Sequence, residues 1–510
     1  MALNENRLDV AERLLKPHLK EDPFDVRAIR MLAELAARVG RVRDAETLLR
    51  RAVELSPAWV AARANLANLL GRMGRPAEAM ELLEEVLAEE PEDLAHWNLR
   101  AATLGRLGDF EQGIEVYERV LAGSPRQPRI WVGYGHMLKT VGRLADGMAA
   151  YRNAIALRPA LGEAWWSLAN LKTVKFERAD IAAMRSALDA PRATDEDRLH
   201  LHFALGKAMH DARRTSEAFE HYSKGNALRL ESRPYRPGHI TRTVDKCVEA
   251  FSAKAFAERP GGSTAPDPIF VVGLPRSGST LIEQILSSHS QIEGTTELPD
   301  IPALARHVGD YPDDVLNLDG DARRALGEDY LKRASVQRRT ERPLFIDKLP
   351  NNWLFVPFIQ LILPNAKIID ARRHPLSCCF SNFRQHFARG QDFTYSLSDV
   401  GRYYSDYVRL MAHIDAVLPG RVHRVIYENM VEDTEAEVRR LLDYCGVEFE
   451  PQVLEFYNTD RAVRTPSSEQ VRKPIYRDAT EEWRDYEPFL GDLKQALGPI
   501  LDAYPEAPAS

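Results

Sequence analysis

Prolines stand at Pro23, Pro57, Pro91, Pro125 and Pro159, each 34 residues after the last. Gly40, Gly74, Gly108 and Gly142 keep the same step, as do Trp97, Trp131 and Trp165. Small residues recur in register at Ala11, Ala45, Ala79, Gly113 and Gly147. Four columns sharing one period confine the first third of the chain to a repeat architecture, in which each unit buries its core only against its neighbours. A unit of this length accommodates helix, turn and helix. The glycine frees the backbone of the turn. The small residue lets the two helices approach. The proline is expected to open the next unit, where its missing N–H costs little.

The pattern resembles tetratricopeptide repeats (TPR) over residues 1–172. After Pro159 the register decays, with Phe176 where the next glycine is due. Helical patterning continues over 180–190, 195–212 and 216–230, so residues 173–259 are expected to form an additional helical or degenerate TPR segment. A repeat stack leaves a concave groove. A polypeptide substrate or partner is its expected occupant, and packing on the rest of the chain or on another subunit is the alternative. Such stacks also self-associate, so a homo-oligomer is a further expectation. The tryptophan column is assigned to the repeat core.

Composition narrows the remaining classes. Apolar residues make up 44% and charged residues 28% of the 510-residue chain, an ordinary globular mixture. A net charge of -7 offers no basic footprint for nucleic acid. Cys247, Cys378, Cys379 and Cys445 form neither a disulfide framework nor a zinc pattern, which fits a reducing compartment. The opening Met1–Leu15 lacks the basic-then-apolar order of a signal peptide. The most apolar run, 353–363, is too short to span a bilayer and reads as a buried helix. A cytoplasmic location with no membrane contact is expected.

The stretch 260–268, Pro-Gly-Gly-Ser-Thr-Ala-Pro-Asp-Pro, marks a linker. Beyond it, short apolar runs at 269–272, 344–346, 366–370 and 422–427 alternate with helical stretches, predicting a parallel sheet flanked by helices over 269–510. The first run leads into Gly273-Leu-Pro-Arg-Ser-Gly-Ser-Thr280 and then a helix. Strand, glycine-containing loop and helix N-terminus together present backbone N–H groups to a phosphate. A Walker A loop would carry lysine where Ser279 stands, so a nucleoside triphosphate loses the residue that reaches its β- and γ-phosphates.

The loop Pro275-Arg276-Ser277-Gly278-Ser279-Thr280 resembles the 5′-phosphosulfate loop of sulfotransferases that use 3′-phosphoadenosine 5′-phosphosulfate (PAPS). Arg373, with Pro375 two residues on and Ser381 eight residues on, resembles the family's 3′-phosphate site; Arg372 has Phe380 at that interval. Glu297 lies 22 residues after Pro275, and Lys348 lies 25 before Arg373. Both intervals resemble those of tyrosylprotein sulfotransferases, which implies Glu297 as general base and Lys348 as the aid to the leaving group. Tyr427-Glu-Asn-Met-Val resembles the segment whose tyrosine lies near the nucleotide. Thr465–Pro474 resembles the late loop that closes over it, implying roles for Ser467 and Lys473. The resemblance covers about residues 268–490 and implies a P-loop-like fold with a central parallel sheet. Two departures stand out. Glu482 precedes Trp483 where that family has lysine, with Arg477 or Arg484 as candidate substitutes. Leu298-Pro299-Asp300 stands where its basic residues hold acidic peptides.

The reaction this implies moves the sulfuryl group of PAPS to a hydroxyl, with Glu297 taking the acceptor's proton. Lys348, Arg276 and the loop N–H groups would neutralise the departing 5′-phosphate. No metal is expected, since no ligand cluster is recognisable. His289 is the second candidate base, ahead of His374 and His386. Cys378 and Cys379 read as packing residues. Tyr403, Tyr404 and Tyr407 read as a packed helix face, with an acceptor pocket as the alternative. Two other functions compete: a TPR scaffold with a non-catalytic nucleotide domain, and a phosphotransferase. The retained Arg276, Glu297, Lys348, Arg373 and Ser381 weigh against the first, and the missing Walker lysine against the second.

Overall fold

The computed structural model describes residues 3, 7–295, 297–388, 390–459, 461, 465, 468, 470–475 and 481–507. The chain divides into two compact units, Met1–Ala164 and Trp165–Ser510.

The first unit is a succession of helix pairs: α1 (Leu8–Glu21), α2 (Val26–Arg38), α3 (Val42–Leu55), α4 (Val60–Arg72), α5 (Pro76–Glu89), α6 (Leu94–Leu107), α7 (Phe110–Gly123), α8 (Pro128–Thr140) and α9 (Leu144–Leu157). Gly40, Gly74, Gly108 and Gly142 all adopt φ between +81° and +92°, so the glycine column is dictated by backbone conformation. Ala45 and Ala79 are wholly buried, and a Cβ on Gly113 would come within 2.5 Å of Met137 Sδ. The prolines differ from expectation. Pro57, Pro91 and Pro125 do not start helices; each directly follows the C-cap of the helix before it, and the next helix begins three residues later. The reason is termination: a proline cannot continue a helix. The tryptophans then lock the turn, since Trp97 and Trp131 Nε1 donate to the carbonyls of Pro91 and Pro125 at 2.7 and 2.8 Å.

The second unit begins within α10 (Gly162–Ala169) and continues through α11 (Arg178–Leu188), α12 (Asp195–Asp211), α13 (Thr215–Ser232), α14 (Gly238–Ala250) and α15 (Ala253–Ala257). Five parallel strands follow: β1 (Pro268–Gly273), β2 (Ile292–Gly294), β3 (Leu344–Asp347), β4 (Lys367–Arg372) and β5 (Val422–Ile426), in the order β2-β3-β1-β4-β5. The helices that position the site are α16 (Ser279–Ser287), α17 (Asp300–Val308), α18 (Gly320–Ser335), α19 (Val356–Ile362), α20 (Pro375–Phe383) and α21 (Leu397–Val417). The run 353–363 is buried as expected, but splits into a 3₁₀ turn, Pro350–Phe355, and the short α19. β1 is apolar and buried at every position, as a central parallel strand must be. It pairs with β3 on one side and β4 on the other. Its C-terminal end is therefore the switch point of the sheet, where open α/β sheets bind ligands. Among the described residues, no helix is long and apolar enough to cross a membrane.

Candidate active site

The C-terminal end of each strand, or the loop just beyond it, carries a residue with chemistry. β1 runs into the phosphate loop, β2 leads towards Glu297, β3 to Lys348, β4 to Arg373, and β5 to Tyr427. Gly273 (φ +136°) lies so close to β4 that a Cβ there would be 2.4 Å from the Ala371 carbonyl. Arg276 takes a left-handed φ of +67°, and Gly278, at φ +99°, caps α16. This turn places Ser279 and Thr280 in the first turn of α16, where the amides point outward without intrahelical partners.

On the β4 side, Arg276 Nε donates to Ser381 Oγ at 3.1 Å and Arg373 Nη1 donates to the Arg276 carbonyl at 3.2 Å. The Arg373 guanidinium lies 4.7 Å from the Tyr427 ring centre. Arg372, one residue earlier, points the other way: its Nη2 is 3.0 Å from Asp370 Oδ2 and its Nε 3.3 Å from Tyr407 OH, all buried. Burial, with Arg373 and Arg384 beside it, holds the Arg276 guanidinium down to about 10. A cleft over the loop is lined by Arg276, Gly278, Thr280, Arg373, Tyr427 and Lys473. Gln470 from the late loop accepts from Arg276 Nη2 at 3.2 Å, and Thr280 Oγ1 donates to Thr465 Oγ1 at 3.2 Å. Ser467 and Arg477 lie outside the described residues. Arg484 pairs with Glu481 at 3.1 Å.

On the β3 side, Lys348 Nζ donates to Glu297 Oε1 at 2.5 Å and stands 3.9 Å from Glu283 Oε2. Glu283 is buried on α16 and also pairs with Arg461 Nη2 at 3.0 Å. Lys348 is almost wholly buried, whereas Glu297 is about half exposed. A buried ammonium so placed holds the open carboxylate in position. Lys348 and Glu297 do not line the cleft; Glu283, which stands beside Lys348, lies one turn along the helix that the loop begins.

Other candidates have structural partners. His289 is buried, with Nε2 2.8 Å from the Glu448 carbonyl and Nδ1 accepting from Gln291 N at 3.1 Å, so both ring nitrogens are occupied. His374 stacks on Trp483 at 5.3 Å, and His386 meets Tyr395 OH at 3.0 Å. Cys378 and Cys379 are buried, and burial pushes the Cys378 thiol up to about 12. Tyr404 OH donates to the Arg373 carbonyl at 2.8 Å, Tyr407 hydrogen-bonds Asp370, and Tyr403 stacks on Phe393. These tyrosines form a packed helix face that steadies the Arg373 turn. Sequence spacing did not single out Glu283, Arg461, Gln470 or Asn382. Asn382 Nδ2 donates to the Pro275 carbonyl at 2.7 Å and so ties α20 to the loop. Its only signal was adjacency to Ser381.

Fold and rim together define an α/β domain built around a strand–loop–helix turn at a sheet switch point. Residues 268–451 match the model of the sulfotransferase family, and residues 2–58, 36–103 and 100–161 match tetratricopeptide repeat models. The chain thus joins tetratricopeptide repeats to a sulfotransferase-family domain. It is 33% identical over 332 residues to a protein of Aquifex aeolicus (strain VF5) described as uncharacterized, covering 62% of this chain and 44% of that one. It is 22% identical over 231 residues to protein-tyrosine sulfotransferase A of Caenorhabditis elegans, covering 42% of this chain and 60% of that one. The chain therefore spans between two fifths and two thirds of the length of these two relatives. Among solved structures, the sulfotransferase domain of the Synechococcus PCC 7002 olefin synthase is similar at 25% identity and a TM-score of 0.35, covering 44% of this chain and 90% of that one.

Proposed function

We propose that this chain transfers the sulfuryl group of PAPS to an acceptor hydroxyl. The observation that carries the reading is the arrangement of charged groups around the β1 loop: the cations Arg276 and Arg373, with Ser381, towards β4, and the ion pair of Lys348 with Glu297 towards β3. A nucleotide with phosphates at both 3′ and 5′ presents two separated anions to such a rim. Ser277 Oγ, buried in the loop with no partner among the described residues, is a hydroxyl available to a bound phosphosulfate.

The reaction breaks the bond between sulfur and the bridging 5′-phosphate oxygen and forms one between sulfur and the acceptor oxygen. The acceptor's proton passes to Glu297, and 3′-phosphoadenosine 5′-phosphate leaves. In this reading Arg276 and the N–H groups of 277–280 neutralise the charge that builds on the leaving phosphate, with Lys348 assisting from the β3 side, and such donors are each worth about 10²–10³ in rate. Arg373 and Ser381 fix the nucleotide in register, with Pro275, Gly278, Ser279, Thr280, Tyr427 and Lys473 shaping its bed. A phenol, with a pKa near ~10, is activated more easily than an alkanol. The charge balance at this rim calls for no metal.

A polypeptide acceptor or partner suits the repeat unit. That unit carries a cavity of about 370 Å³ bordered by Arg30, Arg38, Arg72, Asn65 and Asn68, which are donors suited to peptide carbonyls and carboxylates. Protein-tyrosine sulfotransferase A as a relative makes peptidyl tyrosine the first acceptor to try.

The test is calorimetric titration with 3′-phosphoadenosine 5′-phosphate, beside ATP and Mg²⁺. Micromolar binding of the bisphosphate that is abolished by Arg373→Ala and indifferent to magnesium is expected. No binding, or a preference for Mg-ATP, would overturn the reading.

A further inference from the structure

The side chain of Lys348 is only 2% exposed, while that of its partner Glu297 is 49% exposed. Taking an ammonium out of water costs several kcal/mol, and a carboxylate open to solvent offsets little of that. Burial therefore calls for a second, enclosed carboxylate. Asp347, the preceding residue, does not supply one. Burial holds its carboxyl well above the usual carboxylate range, and its Oδ2 accepts from Tyr330 OH at 3.0 Å. Glu283 does supply one. Its side chain is 5% exposed on α16, with Oε2 3.9 Å from Lys348 Nζ.

Glu283 is shared between two cations. Its other oxygen, Oε1, lies 3.0 Å from Arg461 Nη2. Among the described residues, Glu283 forms ion pairs with Lys348 and Arg461, and Lys348 with Glu283 and Glu297. The four groups make a row of alternating charge: Arg461, Glu283, Lys348, Glu297. Three of them are largely enclosed, and only the last opens to solvent. A buried charge pair of this kind is costly to break, because removing one member leaves the other enclosed and uncompensated.

The packing around Arg461 gives an independent sign that the row is built. Arg461 Nε donates to Gln284 Oε1 at 2.7 Å. Gln284 Nε2 donates to the carbonyls of Phe456 at 2.9 Å and Thr459 at 3.2 Å, and Ser288 Oγ lies 2.6 Å from Thr459 Oγ1. Gly294, at the end of β2, leaves room for the guanidinium, since a Cβ there would stand 2.8 Å from Arg461 Nη1. Adjacent residues of α16 thus hold the chain at 456–461, Gln284 by hydrogen bonds and Glu283 by charge. The same helix grows out of the phosphate loop. One element therefore carries both the loop amides and the carboxylate beside Lys348.

We propose that Glu283 is a positioning residue for the sulfuryl transfer: its buried carboxylate, shared with Arg461, holds the Lys348 ammonium beside the helix that the phosphate loop begins, while Glu297 stays open to the acceptor. The assignment rests on the PAPS reading above. Without Glu283, Lys348 keeps Glu297 as its one described counter-ion, and the ammonium follows that carboxylate away from α16. Arg461 acts through Glu283, offsetting part of its charge so that Lys348 is not drawn off Glu297. None of the four residues lines the nucleotide cleft. The effect therefore belongs to turnover and not to nucleotide affinity.

The test measures bisphosphate release from PAPS by the full chain, with a phenol, a tyrosyl peptide and water alone, beside calorimetry with 3′-phosphoadenosine 5′-phosphate. Glu283→Gln is expected to lower kcat about tenfold or more, towards the ~10² that a misplaced catalytic group costs, with bisphosphate affinity unchanged. Glu283→Asp keeps the charge and should retain more turnover than Glu283→Gln. Adding Arg461→Gln to Glu283→Gln should cost nothing further, as expected of residues that act as one unit. Unchanged turnover in Glu283→Gln overturns the proposal and leaves the PAPS reading intact. Equal losses of turnover and of bisphosphate affinity overturn it as a structural effect, and so does an aspartate variant no better than the glutamine. Additive losses for Glu283 and Arg461 overturn the sharing. Bisphosphate binding with no release from PAPS under any of the three conditions leaves Lys348 no reaction to serve, and overturns the assignment while sparing the nucleotide site. If the wild-type chain binds no bisphosphate, the PAPS reading fails and this assignment with it. Should Glu283→Gln fail to fold, Glu283→Asp and Arg461→Gln decide the matter, each read as turnover against affinity.

Discussion

Gly278 has no room to change. At φ +99° it occupies backbone that an L-residue enters at a cost of roughly 1–2 kcal/mol. A Cβ there would also stand 2.7 Å from Tyr427 Cδ2. Gly278→Ala is expected to lower the melting temperature and to weaken nucleotide binding, because the clash moves the ring beneath Arg373. Both are read from thermal melts with and without the bisphosphate. Glu297 is the opposite case. Half exposed and held by one ammonium, it can become glutamine at little cost to the fold. In the proposed mechanism Glu297→Gln is expected to cut turnover by about 10²–10⁴, the usual range for a general base. The measure is bisphosphate release with a phenolic acceptor, and unchanged turnover would move the base elsewhere. At this scale, sequence spacing could separate Arg373 from Arg372 because β4 alternates: Arg372 faces Asp370 and Tyr407 on one side, and Arg373 leaves the strand towards the loop. Glu283 left no such trace. Its partners, Lys348 and Arg461, are 65 and 178 residues away in sequence, and no local pattern encodes a pairing over such distances.

Among elements, the packing of α12 against the end of α20 carries a pH dependence. His200 and His386 lie edge to face with ring centres 4.8 Å apart, among Trp166, Phe203 and Tyr395. Burial first, then His200 and Arg229, hold His386 down at about 2 against an unfolded value of 6.5. The folded state therefore binds fewer protons than the unfolded one across that interval. Stability is fully present above pH 6.5 and is lost as the pH falls below it, by up to about 1.4 kcal/mol per pH unit from this residue. Urea midpoints measured from pH 7 to pH 5 should fall for the wild type and fall less steeply for His386→Gln; parallel slopes would remove His386 from the account. Element types were legible wherever a pattern was long enough. The 34-residue columns specify α1 to α9, and four of the five strands show as apolar runs. β2, three residues long, offers no run to detect. The prolines were seen but their role was misjudged, because a helix stop and a helix start lie only three residues apart.

For the whole molecule, the helical segment 165–259 belongs with the sheet. Phe219 stacks on Phe489 at 4.7 Å and on Phe383 at 5.9 Å, Asn226 Nδ2 donates to the Phe383 carbonyl at 2.9 Å, and Thr241 donates to Asp406 at 2.7 Å. A fragment of residues 165–510 is expected to stay monodisperse and melt cooperatively, whereas 260–510 should aggregate because it bares the aromatic surface around Phe383, His386 and Phe489. Size-exclusion chromatography of the two separates the outcomes, and a well-behaved shorter fragment would contradict the packing. Composition alone could not place this division, because the turn-rich linker at 260–268 marks a change of secondary structure inside one compact unit. The rim has a further consequence in time. Ile269 pairs with Lys367 and Ile368 with Val422, so neighbouring strands arise from distant stretches of chain, and such pairings form slowly. A ribosome emits Arg276 long before Lys473. The loop is thus made well before the residues that will face it, and under the proposed function nucleotide retention becomes a clock for the last stage of maturation. During refolding it should lag behind any signal from Trp97 and Trp131, whose partners are near at hand.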